Sequence, residues 1–207
     1  MAWNVLVVED QSMPRQLFQM LIDASDNYHV LYSVESAAFA PIYCDKYMID
    51  LVIMDIIMKD GSNGLEAAQR IRKSHPNIKI ILVTSMPEVS YLSRAREIGV
   101  NSFWYKETNT EGILDIMDKT MQGESVYPEK SPLVQLGKAR SDELTNKEIE
   151  VLRLMTKGMS NAEIAEALFV EITTVKTHIK HLLAKTGFSN RTELAIQARI
   201  SGIVIGE

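Results

Sequence analysis

Asp50-Leu-Val-Ile-Met54 and Ile78-Lys-Ile-Ile-Leu-Val83 are short, rich in β-branched residues and almost wholly apolar. Runs of that length and composition read as strands buried on both faces, the condition of strands inside a parallel sheet covered by helices. Outward from them, Asn4 to Val8, His29 to Val34 and Ser102 to Tyr105 supply three more strand-like runs, with helical periodicity between all five. Parallel neighbours need crossover connections, so this alternation predicts an α/β domain built on a doubly wound five-stranded parallel sheet. Ser12 is placed to cap the first helix with Pro14 in its first turn, and Thr108 with Glu111 has capping-box spacing for the last.

After residue 122 the pattern changes. Gly123 to Arg140 contains two prolines, Pro128 and Pro132, and reads as a linker over 123–141 with one short helix. Helical segments fill 142–207, enough for a small all-α domain. Thr145-Asn-Lys-Glu148 and Ser160-Asn-Ala-Glu163 are capping boxes that fix two helix starts, and Gly158 sits where the first must stop. Val175, Ile179, Leu182 and Leu183 give an apolar face to a helix from about Thr173 to Lys185. The break at Phe169-Val-Glu-Ile-Thr173 before it reads as the turn of a helix-turn-helix. Ser189 is placed to cap a last helix running to Ile200.

A chain of 207 residues, 46% hydrophobic and 24% charged, fits two modest folded domains. Its longest apolar runs fall short of the roughly 18 residues of a membrane span. No secretory signal pattern opens the chain, so the expected location is the cytoplasm. The single cysteine, Cys44, excludes an intramolecular disulfide and a thiolate metal cluster. Net charge is −5, against non-specific coating of nucleic acid. Between Glu171 and Glu193, however, no acid occurs, while Lys176, Lys180, Lys185 and Arg191 supply positive charge; an anionic partner belongs there.

Three carboxylates fall at strand C-terminal ends: Glu9 and Asp10 after the first strand and Asp55 after the third. Ligands bind at that edge of an open parallel sheet, and a hard divalent cation relieves the mutual repulsion of converging carboxylates. Thr84 after the fourth strand adds a hydroxyl and Lys106 after the fifth an ammonium, a set suited to an anionic group such as phosphate on Asp55.

Val5-Leu-Val-Val-Glu-Asp10, Leu51-Val-Ile-Met-Asp55, Thr84-Ser85 and Lys106 resemble, in order and spacing, the receiver domain of bacterial response regulators, whose fold is flavodoxin-like. Leu144-Thr-Asn-Lys-Glu-Ile-Glu-Val-Leu152, Asn161-Ala-Glu-Ile-Ala165 and Thr174-Val-Lys-Thr-His178 resemble the LuxR-type DNA-binding domain. Together they identify the chain as similar to NarL/FixJ-type regulators. The resemblance implies that Asp55 takes a phosphoryl group from a sensor histidine kinase. It also implies Mg2+ held by Asp10, Asp55, the Ile57 backbone carbonyl and, through water, Glu9. Lys106 and Mg2+ would offset phosphoryl charge, and in the implied switch Thr84 would move toward the new phosphoryl oxygen with Phe103 following it inward. Lys176, Thr177 and Lys180 would face DNA bases, and His181 and Lys185 its backbone; the last helix would join two copies on a two-site operator. The residues flanking the water path to the acyl phosphate, Ile57 and Met86, are apolar, so the phosphorylated state is expected to hydrolyse slowly.

Three departures stand out. Lys59 replaces the usual proline four residues after the acceptor, the loop glycine is Gly64, one residue late, and Glu107 replaces a proline after Lys106. Glu171 stands where the family often has a capping serine. Two rival readings remain: a phosphorylation-independent DNA-binding regulator whose receiver serves dimerisation, and a phosphatase using Asp55 as nucleophile. The phosphatase lacks a general acid at Ile57. His178 and His181 have metal-ligand spacing, but the sequence shows no third ligand nearby.

Overall fold

The computed structural model describes residues 2–88, 90–106 and 112–204. The chain divides into two compact units, Met1–Ser85 with Ser90–Lys130, and Met86–Val89 with Ser131–Glu207.

In the first unit, β1 (Trp3–Val8), β2 (Tyr28–Val34), β3 (Leu51–Asp55), β4 (Lys79–Thr84) and β5 (Ser102–Tyr105) form one parallel sheet in the order β2-β1-β3-β4-β5. Its helices are α1 (Ser12–Asp23), α2 (Ala40–Lys46), α3 (Gly64–Ser74), α4 (Tyr91–Ile98) and α5 (Ile113–Met121). Every residue of β3 is buried, as its uniform apolarity predicts for the central strand. Register places Val8 beside Met54, Asp55 beside Val83 and Thr84 beside Tyr105, so chemistry-bearing residues gather at one sheet edge.

The capping expectation for α1 needs correcting. Ser12 is already helical; Gln11 holds the extended cap position and makes no side-chain cap bond. Thr108 and Glu111 lie outside the described residues.

The β3–α3 loop explains the late glycine. Gly61, at φ +81, reverses the chain, and Asp60 Oδ1 accepts from the Ser62 N–H at 2.9 Å. Ser62 Oγ in turn accepts from the Ala37 N–H at 3.0 Å, tying the loop to the segment before α2. Asn63 caps α3, its Oδ1 accepting from Leu65 N–H at 2.8 Å. A Cβ on Gly64 would lie 2.1 Å from the Asp55 carbonyl oxygen, so only glycine fits the close approach.

In the second unit, the sequence stretch read as linker contains a hairpin, β6 (Gln135–Leu136) against β7 (Ala139–Arg140), followed by a 3-10 turn at Ser141–Glu143. Leu136 and Ala139 are buried in this unit's core. Two-residue strands carry too little alternation to be seen as such. Among the described residues four helices follow: α6 (Asn146–Thr156), α7 (Asn161–Leu168), α8 (Ile172–Thr186) and α9 (Arg191–Ile200). Both capping boxes form, at Thr145 with Glu148 and Ser160 with Glu163. The cap of α9 is Asn190, whose Oδ1 accepts from Glu193 N–H at 2.9 Å, rather than Ser189. Ser189 stands one residue too early, and its N–H donates to the Glu193 carboxylate instead. Among the described residues no helix is long and apolar enough to cross a membrane.

Candidate functional site

The first candidate site is the acidic pocket at the β1, β3 and β5 ends. Glu9 and Asp55 are buried, Asp10 partly so, and carboxylate oxygens of all three lie within 4.8 Å of one another. Lys106 Nζ donates to Glu9 Oε2 at 2.5 Å and to Asp55 Oδ2 at 2.7 Å, bridging two of them. Asp55 Oδ1 accepts from Ile56 N–H at 2.7 Å, and Glu9 Oε1 from Gln11 N–H at 3.0 Å. Asp10 Oδ2 accepts from the Lys59 backbone N–H at 2.7 Å, so Lys59 contributes its main chain while its side chain is exposed.

Burial pushes the Asp55 carboxyl up to about 6; Lys106 opposes that rise and Glu9 adds to it. For Lys106, burial favours the neutral amine, but Asp55 and Glu9 together hold its pKa above the ordinary lysine range. The two carboxylates thus favour the charged ammonium of Lys106 between them.

Asp10 Oδ1 is buried and has no hydrogen-bond partner among the described residues. A buried carboxylate oxygen left unpaired is costly, and a hard cation taking oxygen ligands removes the cost. Glu9, Asp10 and Asp55 therefore fit a Mg2+ ion. Thr84 ends the adjacent strand and is buried; Lys106 N–H donates to its carbonyl at 3.0 Å. Ile57 is half-buried, its backbone bridging Asn63. Phe103 is already fully buried on β5, its ring centroid 5.0 Å from that of Tyr105, so the expected inward move from an exposed position needs correcting to a rearrangement within the interior.

The second candidate site is α8. Val175, Ile179 and Leu182 are buried, whereas Lys176, Thr177, Lys180 and His181 are exposed. The Thr177 hydroxyl donates to the Thr173 carbonyl at 2.9 Å, leaving it an acceptor toward a partner. Lys185 is turned inward: Nζ donates to Glu148 Oε2 at 2.7 Å and to the Glu143 carbonyl at 3.0 Å. The structure thus groups four of the five expected contact residues on the open face and commits the fifth to the fold. Ahead of α8, Phe169 closes α7 in the left-handed region, φ 53, with Val170 N–H bonded to Ala165. Glu171 caps α8 with its backbone position only.

Sequence reading missed Asp60, Ser62 and Asn63, which hold the loop beside Asp55; the run Asp60-Gly-Ser-Asn63 carries the Asx-turn signal that could have found them. It also missed Glu148 as the partner of Lys185, for which a separation of 37 residues leaves no local signal.

Comparison with known proteins agrees with this geometry. Residues 5–118 match the response regulator receiver domain, and residues 142–198 match the bacterial regulatory proteins of the luxR family. The response regulator protein VraR of Staphylococcus epidermidis is 36% identical over 204 residues, covering 96% of this chain and 97% of that protein. VraR of Staphylococcus aureus is likewise 36% identical over 204 residues with the same coverage. Among solved structures, RcsB from Salmonella enterica serovar Typhimurium, bound to a promoter in the presence of the phosphomimetic BeF3−, superposes with a TM-score of 0.62. It is 21% identical, covering 98% of this chain and 100% of that one. The response regulator ChrA of a heme-sensing two-component system gives a TM-score of 0.53 at 22% identity, with 98% coverage of each chain. At those identities the likeness is one of fold.

Proposed function

Because the chain belongs to the DNA-binding response regulators, a receiver domain followed by a LuxR-type DNA-binding domain, we propose that Asp55 is its phosphoacceptor and that Asp55 phosphorylation controls DNA binding by α8. The observation that carries this reading is the pocket itself: Asp55 beside Glu9 and Asp10, Lys106 bridging Glu9 and Asp55, and a buried Asp10 oxygen with no hydrogen-bond partner among the described residues.

A carboxylate oxygen of Asp55 attacks the phosphorus of a phosphohistidine on a sensor histidine kinase. The P–N bond breaks, its electron pair leaves with the imidazole, and an acyl phosphate remains. Lys106 stands where charge accumulates on the phosphoryl oxygens and needs no proton transfer to act. Ile56 N–H fixes the orientation of the Asp55 carboxylate. Glu9, Asp10, Asp55 and the Ile57 carbonyl would hold Mg2+, which when bound supplies further neutralisation of phosphoryl charge. Thr84, at the end of the neighbouring strand, receives a phosphoryl oxygen through its hydroxyl, and Phe103 repacks with it.

In the second unit, Lys176, Thr177 and Lys180 face base edges from the major groove, and His181 meets the backbone. Lys185 acts indirectly, locking the end of α8 to α6. About four contact residues bind weakly as one copy. Two copies on a two-fold site supply the rest, joined through α9, where Ile196 and Ile200 are exposed. The Asp55 assignment is tested by incubating the chain with acetyl phosphate and Mg2+ and locating the phosphate by mass spectrometry. Incorporation at Asp55 that vanishes in Asp55→Asn is expected; incorporation surviving in the variant would overturn it.

A further inference from the structure

Tyr127 lies in the segment after α5, ahead of the second unit. Its ring stacks on Phe103, centroids 6.4 Å apart and planes inclined by 29°. The Arg96 guanidinium of α4 lies 4.9 Å from the Tyr127 ring centroid, and the Tyr127 hydroxyl donates to the Val100 carbonyl at 2.8 Å. The main chain beside it is bonded to β5: Phe103 N–H donates to the Val126 carbonyl at 2.8 Å, and Val126 N–H donates to Ser102 Oγ at 3.1 Å. The Thr120 hydroxyl donates to the Ile116 carbonyl, so Ser102 is left to donate to Thr120 Oγ1, 2.6 Å away. Val126 is therefore tied to β5 by one main-chain bond and one side-chain bond, and the Tyr127 ring lies against that of Phe103.

We propose that Tyr127 is a positioning residue for Phe103: it holds this aromatic in its resting place, and phosphorylation of Asp55 is first read as release of the 126–127 segment from β5. The inference rests on the reading of Asp55 as phosphoacceptor and Phe103 as switch. A ring with no exposed surface cannot change place unless a neighbour yields, and close-packed interiors pass between discrete arrangements rather than deforming smoothly. Among the described residues two rings lie against Phe103: Tyr105 belongs to β5 itself, while Tyr127 sits on a segment outside the sheet. Tyr127 is also the start of the chain leading to the DNA-binding unit, so its release changes the length of free tether between the units. Coupling is reciprocal: whatever free energy the phosphoryl group spends in displacing Tyr127 is returned as tighter binding of a phosphoryl mimic when Tyr127 is absent.

The full-length chain with Mg2+ and beryllium fluoride as probe tests this through amide hydrogen exchange at Phe103 and Val126. In wild type the mimic is expected to remove protection at both amides. Tyr127→Ala is expected to lack that protection from the start and to bind beryllium fluoride about tenfold more tightly, a coupling of ordinary allosteric size. Tyr127→Phe keeps the ring but loses the hydroxyl bond to Val100, so it should tighten beryllium fluoride binding by less than Tyr127→Ala does. Arg96→Ala, a surface change that removes the cation beside the Tyr127 ring, should shift affinity in the same direction by less. If beryllium fluoride binds wild type and protection at Phe103 and Val126 is unchanged, the inference is wrong. Wild-type affinity in Tyr127→Ala would also overturn it. Failure of wild type to bind the mimic at all would instead strike the phosphoacceptor reading beneath it.

Discussion

Replacing Gly64 by alanine is expected to damage both the stability of the first unit and its phosphorylation, although residue 64 carries no functional group. The added Cβ would stand 2.1 Å from the Asp55 carbonyl oxygen and 3.0 Å from Ile56 Cα. Ordinary contact begins near 3.4 Å, so the loop and β3 must separate by about 1.3 Å. That movement breaks the Gly64 N–H bond to the Ile56 carbonyl, 2.8 Å, and strains the Asn63 cap. Overpacking costs about 1–3 kcal/mol and a lost cap about 1 kcal/mol, for a total of about 2–4 kcal/mol. At about 3–5 °C per kcal/mol for a unit of this size, the midpoint falls by about 10 °C. Gly61→Ala is the control: its φ is +81 but nothing lies within 4 Å of the new Cβ, so the cost is about 1 kcal/mol of backbone strain. Both tryptophans, Trp3 and Trp104, lie in the first unit, so fluorescence melting reports that unit alone. Displacing Asp55 by an ångström should slow phosphorylation by acetyl phosphate about 100-fold in Gly64→Ala and little in Gly61→Ala. The reasoning fails if Gly64→Ala melts within about 2 °C of wild type, a shift below 1 kcal/mol, or if Gly61→Ala is the more damaging.

Asp10→Ala should abolish the dependence of phosphorylation on Mg2+ concentration by removing the ligand whose oxygen is otherwise unpaired; an unchanged titration would contradict the pocket. Lys176→Ala and Lys180→Ala should each weaken operator binding by about 1–3 kcal/mol if the contact is to a base, or reduce the salt slope by about one if to phosphate, measured by anisotropy across salt concentrations. Ile57→Asn should speed loss of the acyl phosphate, because an amide can orient the attacking water and isoleucine cannot; equal decay in variant and wild type would refute this. Burial alone would raise the Glu148 carboxyl, but bonds from Lys185 and Thr145 hold it below the usual glutamate range. Its contribution is therefore full above the unfolded-state pKa and is lost as pH falls through the folded one, so acid should destabilise the second unit of wild type more than that of Glu148→Gln.

The strand interiors were legible because burial on both faces leaves a nearly pure apolar run; Ser102–Tyr105 emerged with its observed bounds. The acidic pocket was legible for a related reason, since strand ends place Glu9, Asp10, Asp55 and Lys106 at one edge whatever the loops do. Helix starts divided by mechanism. Capping boxes are reciprocal and local, and both formed; single caps at Ser12 and Ser189 did not, because a neighbouring residue held the extended conformation instead. The hairpin at Gln135–Arg140 was hidden because its order comes from packing: Gly137 approaches within 2.2 Å, by its absent Cβ, of the Thr186 carbonyl nearly fifty residues away. Lys185 looked free for the same reason, its partner Glu148 being fixed by the fold. Tyr127 lay hidden as linker because proline and glycine around it signal irregular chain, while its partners Phe103, Val100 and Arg96 come from β5, the turn before it and α4.

The central claim, that phosphorylation of Asp55 governs DNA binding, is tested most directly by affinity for a double-stranded site selected from a random pool. Wild type and Asp55→Asn would be compared with and without acetyl phosphate and Mg2+ at one fixed salt concentration, since salt alone changes such affinities. Wild type is predicted to bind about tenfold or more tightly after phosphorylation, a shift of at least about 1.4 kcal/mol, with Asp55→Asn unresponsive. Equal affinity of wild type in both states, or an equal response in Asp55→Asn, would contradict it.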